Sequence, residues 1–243
     1  MQTTESSAHV SHDPPILSIV QPGGVKRPAD TLSAEVLARH RRGWQPVVKR
    51  VFDVVGSAGL LIVLSPVLGA IAAAIKLGDG GPVLYRWPVV GQGGRYFCGY
   101  KLRTMIVGAD RMKPELLAHN EASGPMFKMR NDPRVTPVGR VLRKLSLDEL
   151  PQLWSVLIGD MSLIGPRPPL QSEYVQFTEW QRQKLAVKPG ITCLWQVSGR
   201  SAITDFDEWV SLDLDYIREW TFWLDLKILL RTIPAVLKGS GAW

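Results

Sequence analysis

At 243 residues the chain can bury one sizeable core, with room for one or two domains. Its 45% hydrophobic and 21% charged content excludes both a disordered chain and a multi-span membrane protein. A net charge of +7 calls for an anionic partner, which could be nucleic acid, a phosphorylated substrate or anionic lipid. In chain order, residues 1–48 are rich in Ser, Thr, Pro and charge and read as a largely disordered tail, with a short helix expected in "DTLSAEVLARHRR" (30–42). The first fifteen residues contain no apolar core of a signal peptide, so none is expected.

The basic pair Lys49–Arg50 and Asp53 precede an uncharged run, "VVGSAGLLIVLSPVLGAIAAAI" (54–75), closed by Lys76. This run has no polar face and is long enough for the ~20 residues that a spanning helix needs. Pro66 removes one backbone hydrogen bond in mid-run. Basic residues flank both ends, which disfavours translocating either side. A helix broken at Ser65–Pro66 that enters and leaves by one face resolves the conflict, with Ser65 satisfying the carbonyl that the proline frees. The alternative is a straight span. Nucleic-acid binding suits the charge but not this membrane run.

Next, "PVLYRWPVV" and "RYFCGYKLRTM", separated by "GQGG" (91–94), predict a β-hairpin whose Pro88 confines its strand to an edge. The glycines read as a turn, since no GK[ST] or helix follows to make a phosphate loop. Residues 106–133 are polar and partly helical, and helical spacing returns from 134 to 164 until Gly165–Pro166. The C-terminal "FDEWVSLDLDYIREWTFWLDLKILLRTIPAVL" is helical with Trp and Leu to one side, suited to core packing or to a membrane interface.

Candidate chemistry centres on "LSLDELPQLWSVLIGDMSLIGPRPP" (145–169). The bland reading makes Asp148 a helix N-cap, with Glu149 and Pro151 in the first turn. Cations in rigid Gly/Pro settings recur around it, however: Lys101, Arg103, Arg130, Arg134, Arg140, Arg143, Arg167, Lys188 and Arg200. Arginine grips phosphate oxygens bidentately, so together they suggest a polyphosphate site. A carboxylate beside phosphate is useful only if it holds a divalent cation or attacks phosphorus, and oxygen ligands with phosphate imply Mg2+ on Asp148 and Glu149. Two cysteines without CxxC spacing and four histidines make a zinc site or a Cys–His nucleophile improbable, and they fit a reducing compartment.

The order basic pair plus Asp, broken apolar helix, "YKLRTM", "LDELPQLWSVLIGDMSLIGPRP" and "KPGITCLWQVSGR" resembles the bacterial sugar transferase family, the monotopic polyprenyl-phosphate phosphoglycosyl transferases. The resemblance runs from Lys49 to the C-terminus. It implies transfer of a sugar 1-phosphate from a UDP-sugar to undecaprenyl phosphate with release of UMP, the priming step of surface-polysaccharide assembly. Residue by residue it makes Asp148 the nucleophile, Glu149 its dyad partner, Ser65–Pro66 the break in a re-entrant helix and Arg167 the arginine of the motif flanked by Pro166 and Pro168. Trp87 and Val89 stand where many members carry Gln and Arg ahead of the position of Gly91. Cys193 stands where glycine is frequent. Larger members add an N-terminal multi-span region that these residues do not include.

The expected fold is therefore α+β: a mostly helical monotopic membrane protein. Residues 49–77 form the re-entrant helix, and 78–243 a cytosolic catalytic domain with the small hairpin and amphipathic C-terminal helices. The cytoplasmic face of the bacterial inner membrane is the expected location, with its lipid as a partner. A neutral hexose is favoured over an N-acetylated sugar, and a homo-oligomer is left open. Two other readings remain: a non-catalytic membrane scaffold, and a glycosyltransferase releasing UDP, for which no βαβ succession is visible.

Overall fold

The structure is a computed structural model, and it describes residues 31–198 and 203–238. The rest of the expected tail, residues 1–30, lies outside them. Helix α1 (Ala34–Arg39) is the short helix expected there, started by Ser33, whose Oγ accepts the Val36 N–H at 3.2 Å. It is docked: Leu32 is buried in the core, and the His40 ring stacks on Trp220 at 4.5 Å.

Helix α2 (Trp44–Asp79) runs for 36 residues, about 54 Å at the α-helical rise. The expected break at Ser65–Pro66 is not an interruption of the helix. Pro66 leaves the Ile62 carbonyl without its amide partner, and the Ser65 hydroxyl donates to that carbonyl at 2.8 Å. The most apolar window has a mean hydropathy of 2.4, yet only 6% of it is buried inside the protein. A core helix would be covered, so this surface is made for a surrounding other than water.

Strands β1 (Leu84–Val90) and β2 (Tyr96–Leu102) form the expected antiparallel hairpin, in register from Leu84 opposite Leu102 to Val90 opposite Tyr96. Its turn depends on Gly93 and Gly94, at φ +67° and +81°, which L side chains rarely adopt. Two strands make two edges, so Pro88 sits where its missing N–H costs no central ladder bond. From residue 109 the chain makes 3-10 turns, Ala109–Met112 and Leu117–His119, around the short α3 (Lys113–Leu116). Helix α4 (Pro137–Lys144) is capped by Thr136 Oγ1 accepting from Gly139 N. Its buried Leu142 joins Ile75 and Leu102 in a small cluster that binds α2 to the hairpin.

The helical reading of 134–164 needs correction at its end. The left-handed Ser146 (φ +53°) separates α4 from a 3-10 turn, Leu147–Glu149. Helix α5 (Gln152–Ile158) then stops at Gly159, at φ +95°. The next element is a strand, β3 (Ser162–Ile164), paired in parallel with β4 (Gly190–Thr192). Short helices α6 (Gln171–Tyr174) and α7 (Glu179–Arg182) lie between those strands, and α8 (Leu194–Val197) comes after them.

The C-terminal alternatives divide between two helices. Helix α9 (Phe206–Glu219) is core: Trp209, Val210, Leu214, Tyr216 and Ile217 are buried. Helix α10 (Phe222–Lys238) buries Leu224, Asp225 and Ile228 but exposes Trp223, Leu230 and Ile233. Its Asp225 is a hub, accepting from Lys49 Nζ at 2.6 Å, Tyr216 Oη at 2.7 Å and Trp220 Nε1 at 3.1 Å. The start of α2 is thereby fixed to the core. One turn on, Asp53 Oδ1 accepts from Ser162 Oγ at 3.0 Å and Leu163 N at 2.9 Å, and Arg50 caps α5 through the carbonyls of Val156 and Leu157. The apolar helix and β3 thus form one built unit.

Candidate active site

Asp148 is not an N-cap. It sits inside the 3-10 turn Leu147–Glu149, and α5 begins only after Pro151, without a side-chain cap. The turn is entered through Ser146 in left-handed backbone, a conformation that costs a non-glycine residue about 1 kcal/mol or more. Such a turn displays two consecutive carboxylates on one wall of a cavity of about 740 Å³, where both line the space.

Their neighbours treat them unequally. Glu149 is buried, and its Oε1 accepts from Lys101 Nζ at 2.9 Å and Arg167 Nη1 at 3.0 Å. The Asp148 carboxylate makes no hydrogen bond among the described residues. Burial, then the charge of Glu149, raises the Asp148 carboxyl to about 6, against the pull of Lys101, Arg143 and Arg167. Burial also works to raise Glu149, but Lys101 and Arg167 outweigh it and hold it well below the ordinary carboxylate range. One carboxylate is locked and ionised; the other is uncommitted and faces the cavity.

The two cations are held from separate elements. Lys101 comes from β2. Arg167 follows β3, within a segment tied on both sides: Gly190 N donates to Pro166 O at 2.9 Å, and Val90 N donates to Pro169 O at 3.0 Å. Chain approach here requires glycine, since a Cβ on Gly190 would stand 2.0 Å from Gly165 N, and one on Gly165 would stand 2.5 Å from Lys188 O. Pro166 and Pro168 are buried in this segment, and Pro168 lines the cavity. The Trp87 ring lies under both cations, 4.1 Å from Lys101 Nζ and 5.7 Å from Arg167 Cζ, an electrostatic support for two like charges side by side.

Of the other expected basic residues, Arg143 joins the dyad, lining the cavity with its Nε on Thr104 Oγ1 at 3.0 Å. Arg103 lines the same cavity but is spent on Asp79, with Nη1–Oδ2 at 2.6 Å, and on the Pro82 carbonyl. Arg134 lies elsewhere, paired with Asp132 at 2.6 Å and stacked 5.1 Å from Phe127. Arg130 and Arg140 are exposed off the cavity. Lys188 stands near Arg50 and does not line the cavity, and Arg200 lies outside the described residues. Sequence reasoning misses an aromatic part of the lining: Lys128 with Trp209, their separation 5.5 Å, and Trp195 stacked on Trp209 at 4.6 Å. Trp195 belongs to the quoted "LWQV", but nothing in its spacing marks a cavity. Glu173, a buried carboxylate that also lines the cavity, accepts from Leu170 N at 2.9 Å. Of the departures from the family pattern, Val89 is fully buried and the Cys193 thiol is buried against Gln196 Oε1.

No group of three or more His, Cys, Asp and Glu that could hold a metal ion occurs among the described residues. What the dyad offers is both Asp148 oxygens and Glu149 Oε2, which make no hydrogen bonds there. That donor set fits Mg2+, which takes one or two carboxylates and completes its shell with water and substrate phosphates.

Comparison with known proteins adds the family. Residues 44–239 match the family described as Bacterial sugar transferase. The chain is 48% identical over 196 residues to "Galactosyl transferase CpsE" of Streptococcus agalactiae, covering 81% of this chain and 43% of that protein. It is 44% identical over 200 residues to "Undecaprenyl-phosphate galactose phosphotransferase" of Salmonella typhimurium, covering 81% and 42%. It is 40% identical over 201 residues to "Exopolysaccharide production protein ExoY" of Rhizobium meliloti, covering 81% and 88%. The chain thus spans less than half the length of the first two relatives and most of the third. With the match covering the apolar helix, the dyad and the cation segment alike, the chain belongs to the bacterial sugar transferase family.

Proposed function

We propose that the protein transfers a sugar 1-phosphate from a UDP-sugar to a polyprenyl phosphate, such as undecaprenyl phosphate, releasing UMP. The observation that carries this reading is the unequal dyad: an uncommitted Asp148 beside a Glu149 locked by Lys101 and Arg167. The names of the relatives agree, and their galactose donors favour a neutral hexose. An Asp148 oxygen attacks the phosphorus that bears the sugar. The bond from that phosphorus to the bridging oxygen breaks, and UMP departs. A phosphate oxygen of the lipid then attacks the aspartyl phosphate, the bond to Asp148 breaks, and the carboxylate is regenerated. Lys101, Arg143 and Arg167 meet the charge that gathers on the phosphoryl oxygens, and their fixed positions are what such stabilisation demands. Glu149 Oε1 holds Lys101 and Arg167 side by side. Asp148 and Glu149 Oε2 would hold Mg2+, which neutralises diphosphate charge and eases departure of UMP.

The test is UMP release across a panel of UDP-sugars, with and without undecaprenyl phosphate. UMP is expected and UDP is not; UDP would indicate a glycosyltransferase, and no product a scaffold. Activity should vanish in EDTA and return with Mg2+ rather than Zn2+, because the donors are all oxygen. Full turnover in metal-free buffer would remove the cation from this scheme.

The same reading puts α2 in the bacterial inner membrane, entering and leaving by the cytoplasmic face. Basic residues before and after the run support that path, and the Ser65 hydroxyl satisfies the Ile62 carbonyl that Pro66 frees, whichever way the helix runs. Labelling reporters at the N-terminus and beside Trp243 should respond alike in intact cells. Pro66→Leu should move a fraction of molecules to a spanning form, since ~20 apolar residues suffice to cross the ~30 Å hydrocarbon core. Opposite labelling of the two ends in the wild type would exclude re-entry.

A further inference from the structure

The nucleotide sugar accounts for the charged floor of the cavity but not for its rim. Leu84, Tyr85, Ile106 and Val107 all line the cavity, yet they are 47%, 37%, 41% and 64% exposed. Exposed Arg86 and Asp110 share this rim, but the diphosphate and sugar of the donor give the apolar cluster itself no partner. The rim also has a fixed place beside the membrane helix. Gly81 lies two residues beyond the end of α2, and a Cβ there would stand 2.8 Å from Val107 Cγ2. Arg103, on the same wall, is paired with Asp79, the last residue of α2. Inward, Tyr85 is the direct cross-strand partner of Lys101, about 5 Å away in backbone spacing, and Lys101 holds Glu149. A continuous path therefore runs from the end of the apolar helix, over an apolar rim, to the dyad.

We propose that this rim seats the first isoprene units of the acceptor, so that the lipid enters beside the C-terminal end of α2 and delivers its phosphate to Asp148. The inference rests on the transfer reading above and adds where the hydrocarbon chain lies. The loop that carries Ile106 and Val107 is braced for this. Ile106 N donates to Arg134 O at 2.9 Å, and Met105 bridges to Val135, so the two apolar side chains are presented on fixed backbone. This also gives Arg134 and its Asp132 pair a use away from the phosphates, as the support of that loop.

The experiment uses the full chain in detergent micelles, where partition into a bilayer does not limit encounter. It compares the wild type with Ile106→Asn and Val107→Asn. Two readouts are taken: equilibrium binding of labelled undecaprenyl phosphate, and the burst of UMP from UDP-sugar without lipid. Each variant should bind the lipid phosphate roughly tenfold more weakly, since each buried CH2 contributes close to a factor of four. The burst should be retained. Unchanged lipid binding overturns the proposal, and an equal fall in the burst does so too, because the rim would then serve the donor. Unchanged binding in micelles with weaker attachment to anionic vesicles would mean that the rim touches only the bilayer, which also overturns it. A wild type that releases no UMP with or without lipid, whose lipid binding still depends on Ile106 and Val107, defeats the transfer reading and leaves the acceptor seat standing.

Discussion

Asp148→Asn should abolish turnover and at the same time stabilise the protein. The loss of activity comes from the reaction itself: an amide does not open the diphosphate, so neither the burst of UMP nor a sugar-phosphate adduct should form. The wild type given UDP-sugar alone should release at most one UMP per site and gain the mass of one sugar phosphate. Ternary kinetics with no adduct would falsify the covalent route. The gain in stability comes from the raised pKa. A carboxyl lifted from 3.8 to about 6 is harder to ionise in the fold than in the unfolded chain. The penalty is absent below the unfolded value, grows as pH rises from 3.8 to about 6, and is complete above that. At neutral pH it is on the order of 2–3 kcal/mol, and asparagine removes it. A melting temperature several degrees above the wild type at pH 7.5, converging with it toward pH 4, is the expected result. The wild-type burst should rise with pH and then level off, because only the carboxylate attacks, with Mg2+ drawing the midpoint below that of the metal-free protein. A variant that is dead and less stable would mean that Asp148 is a structural group.

How much of this was legible in the sequence depends on the range of the interactions involved. The hairpin was legible because alternation and "GQGG" are local signals, and the φ values of Gly93 and Gly94 show why those residues stand there. The rescue of the Ile62 carbonyl by Ser65 was legible for the same reason: proline and its substitute donor are neighbours. The parallel pair β3–β4 was not legible. Strands of three residues carry no period, and apolar β3 continues the helical spacing of α5 until Gly159 reverses the backbone. Pairing Ser162 with Gly190 is a long-range fact that appears only as two glycines with no room for a Cβ.

Among the cations the sequence could say that phosphate-binding residue types recur, but not which converge. Arg134 carries the same chemistry as Arg167, yet Asp132, two residues before it, takes both ends of its guanidinium. Lys101 and Arg167 are 66 residues apart and meet only because β2 and the segment after β3 border the same turn. The C-terminal helices show the same limit. Both are amphipathic by pattern, and only packing tells that α9 is covered while Trp223, Leu230 and Ile233 of α10 are not.

Glu149→Gln should have the opposite balance from Asp148→Asn: severely slowed but not dead, and less stable. The amide oxygen can accept one donor but carries no charge, so Lys101 and Arg167 are left as close like charges in a buried site. Breaking such a pair costs roughly 3–5 kcal/mol. The sign is that of a carboxylate whose folded pKa is depressed. Its contribution is present above the ordinary glutamate value of 4.5 and is lost only as pH falls through the depressed one. Wild type and variant should therefore differ in melting temperature across the whole range from pH 5 to 8, unlike the converging pair at Asp148. In turnover the variant should lose roughly 10²–10³-fold, the scale of one preorganised charge-stabilising group, while still trapping some labelled sugar phosphate on Asp148. Glu149 acts on Asp148 in two opposite senses: its own charge raises the Asp148 carboxyl, and the cations it holds, Lys101 and Arg167, pull it down. Removing the negative charge should bring the Asp148 carboxyl down, so the pH midpoint of the residual burst should fall below that of the wild type. A midpoint that stays put, with the rate still lost, would limit Glu149 to holding the lysine and the arginine. A midpoint that falls with the rate would show the two carboxylates titrating as one electrostatic unit.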